Sequence, residues 1–132
     1  MTTPRVYKTE AIVLKRIRLG EADKILTLYT PHLGELRAVA KGVRRPMSKL
    51  GGHVELFTHS TMMLARGRNL DIITQSQAID SFLPLRDDLG RISHGIYVAE
   101  LVDSLTAERM ENYPIFRLLL DTLHRLCQIS NG

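Results

Sequence analysis

The spacing of apolar residues changes period near residue 81, and that change restricts the chain to a β-rich part followed by helices. Val6 to Leu19 is a long run of β-branched and aliphatic residues that ends at Gly20. Ile25 to Thr30 is a second run, with Leu26 and Leu28 on one face. Pro31-His32-Leu33-Gly34 is a turn, because proline presets φ and glycine accepts positive φ. Glu35 to Lys41 alternates, with Leu36, Ala38 and Ala40 inward and Arg37, Val39 and Lys41 outward. Val54 to Ala65 predicts a fourth strand, which meets a fifth, Leu70 to Ile79, across the hairpin turn Gly67-Arg68-Asn69. Five strands with a basic, glycine-containing connection between the third and fourth predict a β-barrel.

Beyond residue 81 the period is helical. Pro84-Leu85-Arg86-Asp87-Asp88 predicts a helix start or a short helical turn. From Ile92 to about Arg109, one stripe holds Ile92, Ile96, Ala99 and Val102 and a second holds Val98, Leu101 and Leu105. An apolar face that wide predicts a largely buried helix. Asn112-Tyr113-Pro114 starts another helix, in which Phe116, Leu119, Leu120, Leu123, Leu126 and Cys127 repeat at three and four; Ser130-Asn131-Gly132 reads as its C-cap.

Charge divides at the same place. Residues 1–81 hold 13 basic and 7 acidic residues, residues 82–132 hold 5 and 7, and the whole chain carries +4. A basic barrel permits polyanion binding. Between Glu35 and Glu55 there is no acid, while Arg37, Lys41, Arg44, Arg45 and Lys49 alternate with Gly42, Pro46, Gly51 and Gly52. That composition suits a phosphate-contacting loop, since glycine lets a backbone approach phosphates closely. It equally suits an ordinary solvated loop. Lys15, Arg16, Arg18, Arg66 and Arg68 on the adjoining strands add supporting charge. Base stacking would need exposed aromatics, and the barrel region offers Tyr7, Tyr29 and Phe57. Tyr29 has the opposite parity to Leu26 and Leu28, so it faces outward or caps a barrel end.

Other chemistries find little support. One cysteine, Cys127, rules out a disulfide framework and a paired-cysteine zinc site, and its position on an apolar stripe reads as a small buried hydrophobe. His32, His53, His59, His94 and His124 are scattered, so no metal site is expected. Asp87-Asp88 reads as a helix-start pair. There is no P-loop and no nucleophile elbow. No apolar run exceeds four residues, against about 18 for a membrane span, and the N-terminus has no signal-peptide core.

Lys8-Thr9-Glu10-Ala11-Ile12-Val13-Leu14 is followed by Leu19-Gly20-Glu21-Ala22-Asp23-Lys24-Ile25-Leu26-Thr27-Leu28-Tyr29-Thr30, then Gly34-Glu35-Leu36 and Ala38-Val39-Ala40-Lys41-Gly42-Val43-Arg44-Arg45-Pro46. This order closely resembles the N-terminal part of the RecO family of bacterial DNA repair proteins. Asp80-Ser81-Phe82, Leu85-Arg86 and Tyr97 through Glu108 fit the same family, so the resemblance covers nearly the whole chain. It implies an all-β OB-fold over 1–81 and an α-helical region over 82–132. The lack of catalytic, metal and signal motifs points to a non-enzymatic protein without cofactors, cytoplasmic and associated with the nucleoid. A protein of that family would bind single- and double-stranded DNA, anneal strands, and work with RecR and single-strand-binding protein to load a recombinase in the RecF pathway. The family's further C-terminal region and its zinc-binding cysteines have no counterpart here, so the chain reads as a fragment or a short form ending at Gly132. The helices are then expected to expose apolar side chains and to self-associate. The alternative reading is a protein-interaction module whose barrel docks a partner and whose basic surface is incidental.

Overall fold

A computed structural model describes residues 5–46 and 48–129. Its elements, in order, are β1 (Val6–Leu19), β2 (Asp23–Thr30), β3 (Gly34–Ala40), a 3-10 turn (Gly51–His53), β4 (His59–Ala65), β5 (Asp71–Asp80), α1 (Leu83–Arg86), α2 (Leu89–Leu105) and α3 (Tyr113–Gln128). The expected C-cap at Ser130-Asn131-Gly132 lies outside the described residues.

The strands close into a barrel in the order β1-β2-β3-β5-β4. This is a five-stranded OB-fold barrel followed by helices. Closure depends on the length of β1. Its first half pairs antiparallel with β4, from Val6 opposite Ala65 to Ile12 opposite His59. Its second half pairs antiparallel with β2, ending with Leu19 opposite Asp23, and the register slips between Val13 and Lys15. Such a bulge raises local twist and lets one strand serve two partners. The last gap is narrow: β3 and β5 run parallel and pair only at Ala38–Asp71 and Val39–Ile72.

Two cores share the wall of the barrel. Inside lie Ala11, Val13, Leu26, Leu28, Leu36, Ala38, Met62, Leu64 and Ile73. Outside, Ile12, Leu14 and Tyr29 pack beneath the helices with Phe57, Phe82, Leu85, Phe116 and Leu123. The unbroken apolar run Ala11 to Leu14 follows from this arrangement, because both faces of that stretch are covered.

Several expectations shift. The fourth strand begins at His59 rather than Val54. Phe57 takes a left-handed φ of 68°, which breaks the strand and sends its ring into the outer core. Phe57 N–H still donates to the Val13 carbonyl at 2.8 Å, so the segment stays tied to β1. The helix expected to reach Arg109 ends at Leu105 and is not largely buried: only Gly95 and Ala99 are buried. These small residues let α2 approach closely, and a Cβ at Gly95 would stand 2.9 Å from the Phe57 ring. Contact through so narrow a strip leaves Ile96, Leu101 and Leu105 in solvent.

α3 follows its expected pattern. Asn112 caps it by accepting from the Ile115 N–H, Pro114 sits in the first turn, and Phe116, Leu119, Leu120, Leu123 and Leu126 are buried. Each such side chain contributes roughly 1.5–3 kcal/mol relative to exposure. Between α2 and α3 the chain crosses the barrel at β3, where the Arg109 N–H donates to the Glu35 carbonyl at 2.9 Å. Gly34 makes that crossing possible: its φ is +70°, and a Cβ there would meet the Met110 carbonyl oxygen at 2.3 Å.

Candidate nucleic-acid interface

Antiparallel pairing places the β1–β2 turn and the connection leaving β3 at one end of the barrel. The β4–β5 hairpin closes the other end. The expected basic residues divide between these ends and the flank.

At the first end, the turn and the basic connection are fastened together. Gly42 N–H donates to Asp23 Oδ1 at 2.7 Å, Arg44 N–H to the Ala22 carbonyl at 2.9 Å, and Arg44 Nη1 to the Gly20 carbonyl at 2.9 Å. β1 and β2 then set Arg18 directly opposite Lys24, with Arg16 opposite Leu26 one step further in. Like charges facing each other across strands destabilise by roughly 0.2–1 kcal/mol. The Lys24 ammonium is held below the ordinary lysine range, by burial first, then by Arg16, with Arg18 and Arg44 adding to it and Glu55 opposing. Glu55 is the local counter-charge, 2.9 Å from Arg16 Nη1 and 3.6 Å from Arg86 Nη1. Neither Arg18 nor Lys24 makes an ion pair with an acid among the described residues. Lys41, Arg45 and Lys49 are exposed on the same connection.

Lys24 and Arg86 were absent from the expected set. Lys24 was legible: Gly20 to Ala22 is a turn, and counting back along both strands from it puts residue 18 across from residue 24. Arg86 was not, because only packing brings α1 beside Glu55.

The other expected residues lie elsewhere. Lys15 and Arg37 sit on the flank of the barrel beside α2, where Lys15 Nζ pairs with Asp103 at 3.0 Å. Arg66 and Arg68 belong to the far end, with the Arg66 guanidinium 4.7 Å over the Tyr7 ring. The outward placement of Tyr29 is overturned in part. It does face away from the barrel interior, but the helices cover it completely, and Phe57 is equally buried. Tyr7 spends its hydroxyl on Asp71 Oδ2 at 2.5 Å. No barrel-region aromatic among these offers a free stacking face.

His53 accepts the Ala78 N–H at Nδ1, and His59 Nε2 meets Glu10 Oε1 at 2.7 Å. Among the described residues no group of three or more His, Cys, Asp or Glu is placed to hold a metal ion. Asp88 caps α2, accepting from the Arg91 N–H at 3.0 Å. Cys127 is half-buried, and burial pushes its thiol up. No helix among the described residues is long and apolar enough to cross a membrane.

Residues 1–82 match the family described as Recombination protein O N terminal, and residues 86–131 match Recombination protein O C terminal. The chain belongs to the RecO family. It is 54% identical over 122 residues to the DNA repair protein RecO of Roseiflexus sp. (strain RS-1), covering 92% of this chain and 43% of that relative. The RecO protein of Dehalococcoides mccartyi (strain ATCC BAA-2266) is 47% identical over 126 residues, 96% of this chain and 50% of the relative. That of Pelotomaculum thermopropionicum is 47% identical over 122 residues, 92% of this chain and 48% of the relative. The chain thus spans about half the length of these RecO relatives.

Proposed function

We propose that this RecO-family chain binds DNA in recombinational repair, without catalysing a reaction, through the barrel end that carries Arg16, Arg18, Lys24 and Arg44. One observation carries the reading: Arg16, Arg18 and Arg44, from β1 and the pinned connection, all bear on Lys24 of β2, with Glu55 opposing them. Such a surface carries more positive than negative charge, and a polyphosphate backbone supplies the balance. Lys41, Arg45 and Lys49 would extend the contact along the connection, and Lys15, Arg37, Arg66 and Arg68 would add longer-range attraction. Phosphate contacts read no sequence, so single- and double-stranded DNA both fit. Strand annealing, recombinase loading, partnership with RecR and single-strand-binding protein, and a place at the nucleoid are proposals that rest on the family. So is the division into a barrel unit, 1–81, and a helical unit, 82–132.

The test is a titration of labelled single-stranded and duplex DNA over a range of salt concentrations. Affinity for both is expected to fall steeply with salt, with a log–log slope near −0.7 for each phosphate engaged on a single strand. A slope near zero would assign the barrel another role.

A second reading, an interaction module, is favoured by a groove between α2 and α3. Val98, Leu101, Val102, Leu105, Ile115 and Leu118 line a cavity of about 240 Å³ that is mostly apolar. Leu105 is 75% and Leu118 61% exposed. The occupant proposed is a second copy of the chain. Sedimentation at rising concentration is expected to show self-association, which Leu105→Lys with Leu118→Lys abolishes. A monomer at all concentrations would end this reading.

A further inference from the structure

The seam between β3 and the end of α2 holds ionisable groups outside the charged barrel end. Glu35 on β3 is only 8% exposed, and its Oε2 is buried with no hydrogen-bond partner among the described residues. Asp103 of α2 faces the Glu35 carboxyl group. Asp103 also takes the Lys15 ammonium of β1 at 3.0 Å. Beyond α2, Glu108 bridges to Glu35 through the backbone, and the Arg109 N–H donates to the Glu35 carbonyl at 2.9 Å. Lys15, Glu35, Arg37, Asp103 and Glu108 line one cavity of about 290 Å³. Tyr29, the cross-strand partner of Glu35 on β2, also buries its hydroxyl without a partner among the described residues.

Two carboxylates in contact do not both ionise without penalty. Lys15 first, and then the hydrogen bond with Glu35, hold Asp103 below the ordinary carboxylate range. Burial, then Asp103 and Glu108, push Glu35 up to about 7, with Lys15 opposing. The proton therefore resides on Glu35, whose O–H can donate to the Asp103 carboxylate. We propose that Glu35 and Asp103 form a proton-dependent latch, which holds the end of α2 and the 106–110 crossing against the barrel while Glu35 is protonated and loosens when it ionises. The proton leaves to solvent through the open mouth of the cavity beside Lys15 and Arg37.

The remaining charges do not replace it. Lys15 is already engaged by Asp103, and Glu100 also faces it. Glu108 adds negative charge. Arg109 turns its guanidinium to Asp71 at 3.4 Å and gives Glu35 only its backbone N–H. Arg37 is exposed and attracts Asp103. Ionisation of Glu35 thus adds a buried negative charge beside that of Asp103, in a seam with one engaged cation.

Amide hydrogen exchange on the whole chain between pH 6 and 8, corrected for intrinsic rates, tests the latch. Protection of residues 99–110 is expected to fall at least fivefold across that range. Glu35→Gln, which keeps a donor toward Asp103, is expected to hold protection constant. The same fall in Glu35→Gln, or constant protection in the wild type, would overturn the proposal. The carboxyl carbon of Glu35, followed by NMR in the wild type, gives a reading independent of any variant. A midpoint near 7 supports the latch, and a midpoint in the ordinary glutamate range overturns it.

Discussion

Arg44 serves two purposes at once. Its backbone and guanidinium both bond the β1–β2 turn, and its charge joins Arg16, Arg18 and Lys24. Arg45 follows it on the same connection, with its N–H on the Gly42 carbonyl at 3.0 Å. Reversing both charges would remove the proposed phosphate contacts and place two acids among cations. Arg44→Glu with Arg45→Glu is therefore expected to weaken single-stranded DNA binding more than tenfold at low salt and to flatten the salt dependence. The same reversal at Arg66 and Arg68, at the other end of the barrel, is expected to weaken it less. Fluorescence anisotropy across salt concentrations measures both. Equal losses would mean that general charge, rather than the clustered end, attracts the DNA.

The elements differ in how far their residues announce them. β3 alternates in sequence but only partly in space: Leu36, Ala38 and Ala40 are buried and Arg37 is exposed, yet Val39, expected outward, is buried as well. α3 shows one stripe and buries that stripe. α2 shows two stripes and buries neither in full, because its contact runs through Gly95 and Ala99, which periodicity counts as weak positions. Val54 to Thr58 reads as strand, yet Phe57 leaves it to fill the space beside Gly95. The crossing at β3 depends on a position of the same kind. At Gly34 a methyl group would require positive φ from an L-residue and would strike backbone rather than a movable side chain. Gly34→Ala is expected to cost about 2–4 kcal/mol, through strain and overpacking together. Urea unfolding measures the loss. A change below about 0.5 kcal/mol would mean that the 106–110 crossing contributes little to holding the fold.

At the scale of the molecule, the seam between barrel and helices sets the pH response. Burial of Glu35 raises its folded-state value from 4.5 to about 7. A carboxyl raised on folding contributes stability that is complete below the unfolded value and is lost as pH rises through the folded one. The stability of Glu35→Gln relative to wild type is therefore expected to increase between about pH 4.5 and 7 and to level off above. The total is on the order of 1–3 kcal/mol, since one pKa unit corresponds to about 1.4 kcal/mol. Urea midpoints at matched pH values provide the check, and a constant difference would show that Glu35 titrates alike in both states.

Sequence by itself determined what is local. The five strands, their main turns, the amphipathic α3, the change of charge near residue 81 and the acid-free window between Glu35 and Glu55 follow from side-chain period, turn chemistry and composition. The family resemblance was legible there too. Tertiary structure decided what depends on distant segments meeting. Barrel closure leaves Arg66 and Arg68 at one end and gathers Arg16, Arg18, Lys24 and Arg44 at the other. Helix docking buries Tyr29, pairs Lys15 with Asp103 and pushes the Glu35 carboxyl up to about 7. The reason is physical: propensity and periodicity act over a few residues, whereas Coulomb interaction and desolvation depend on distance in space, which no spacing along the chain encodes.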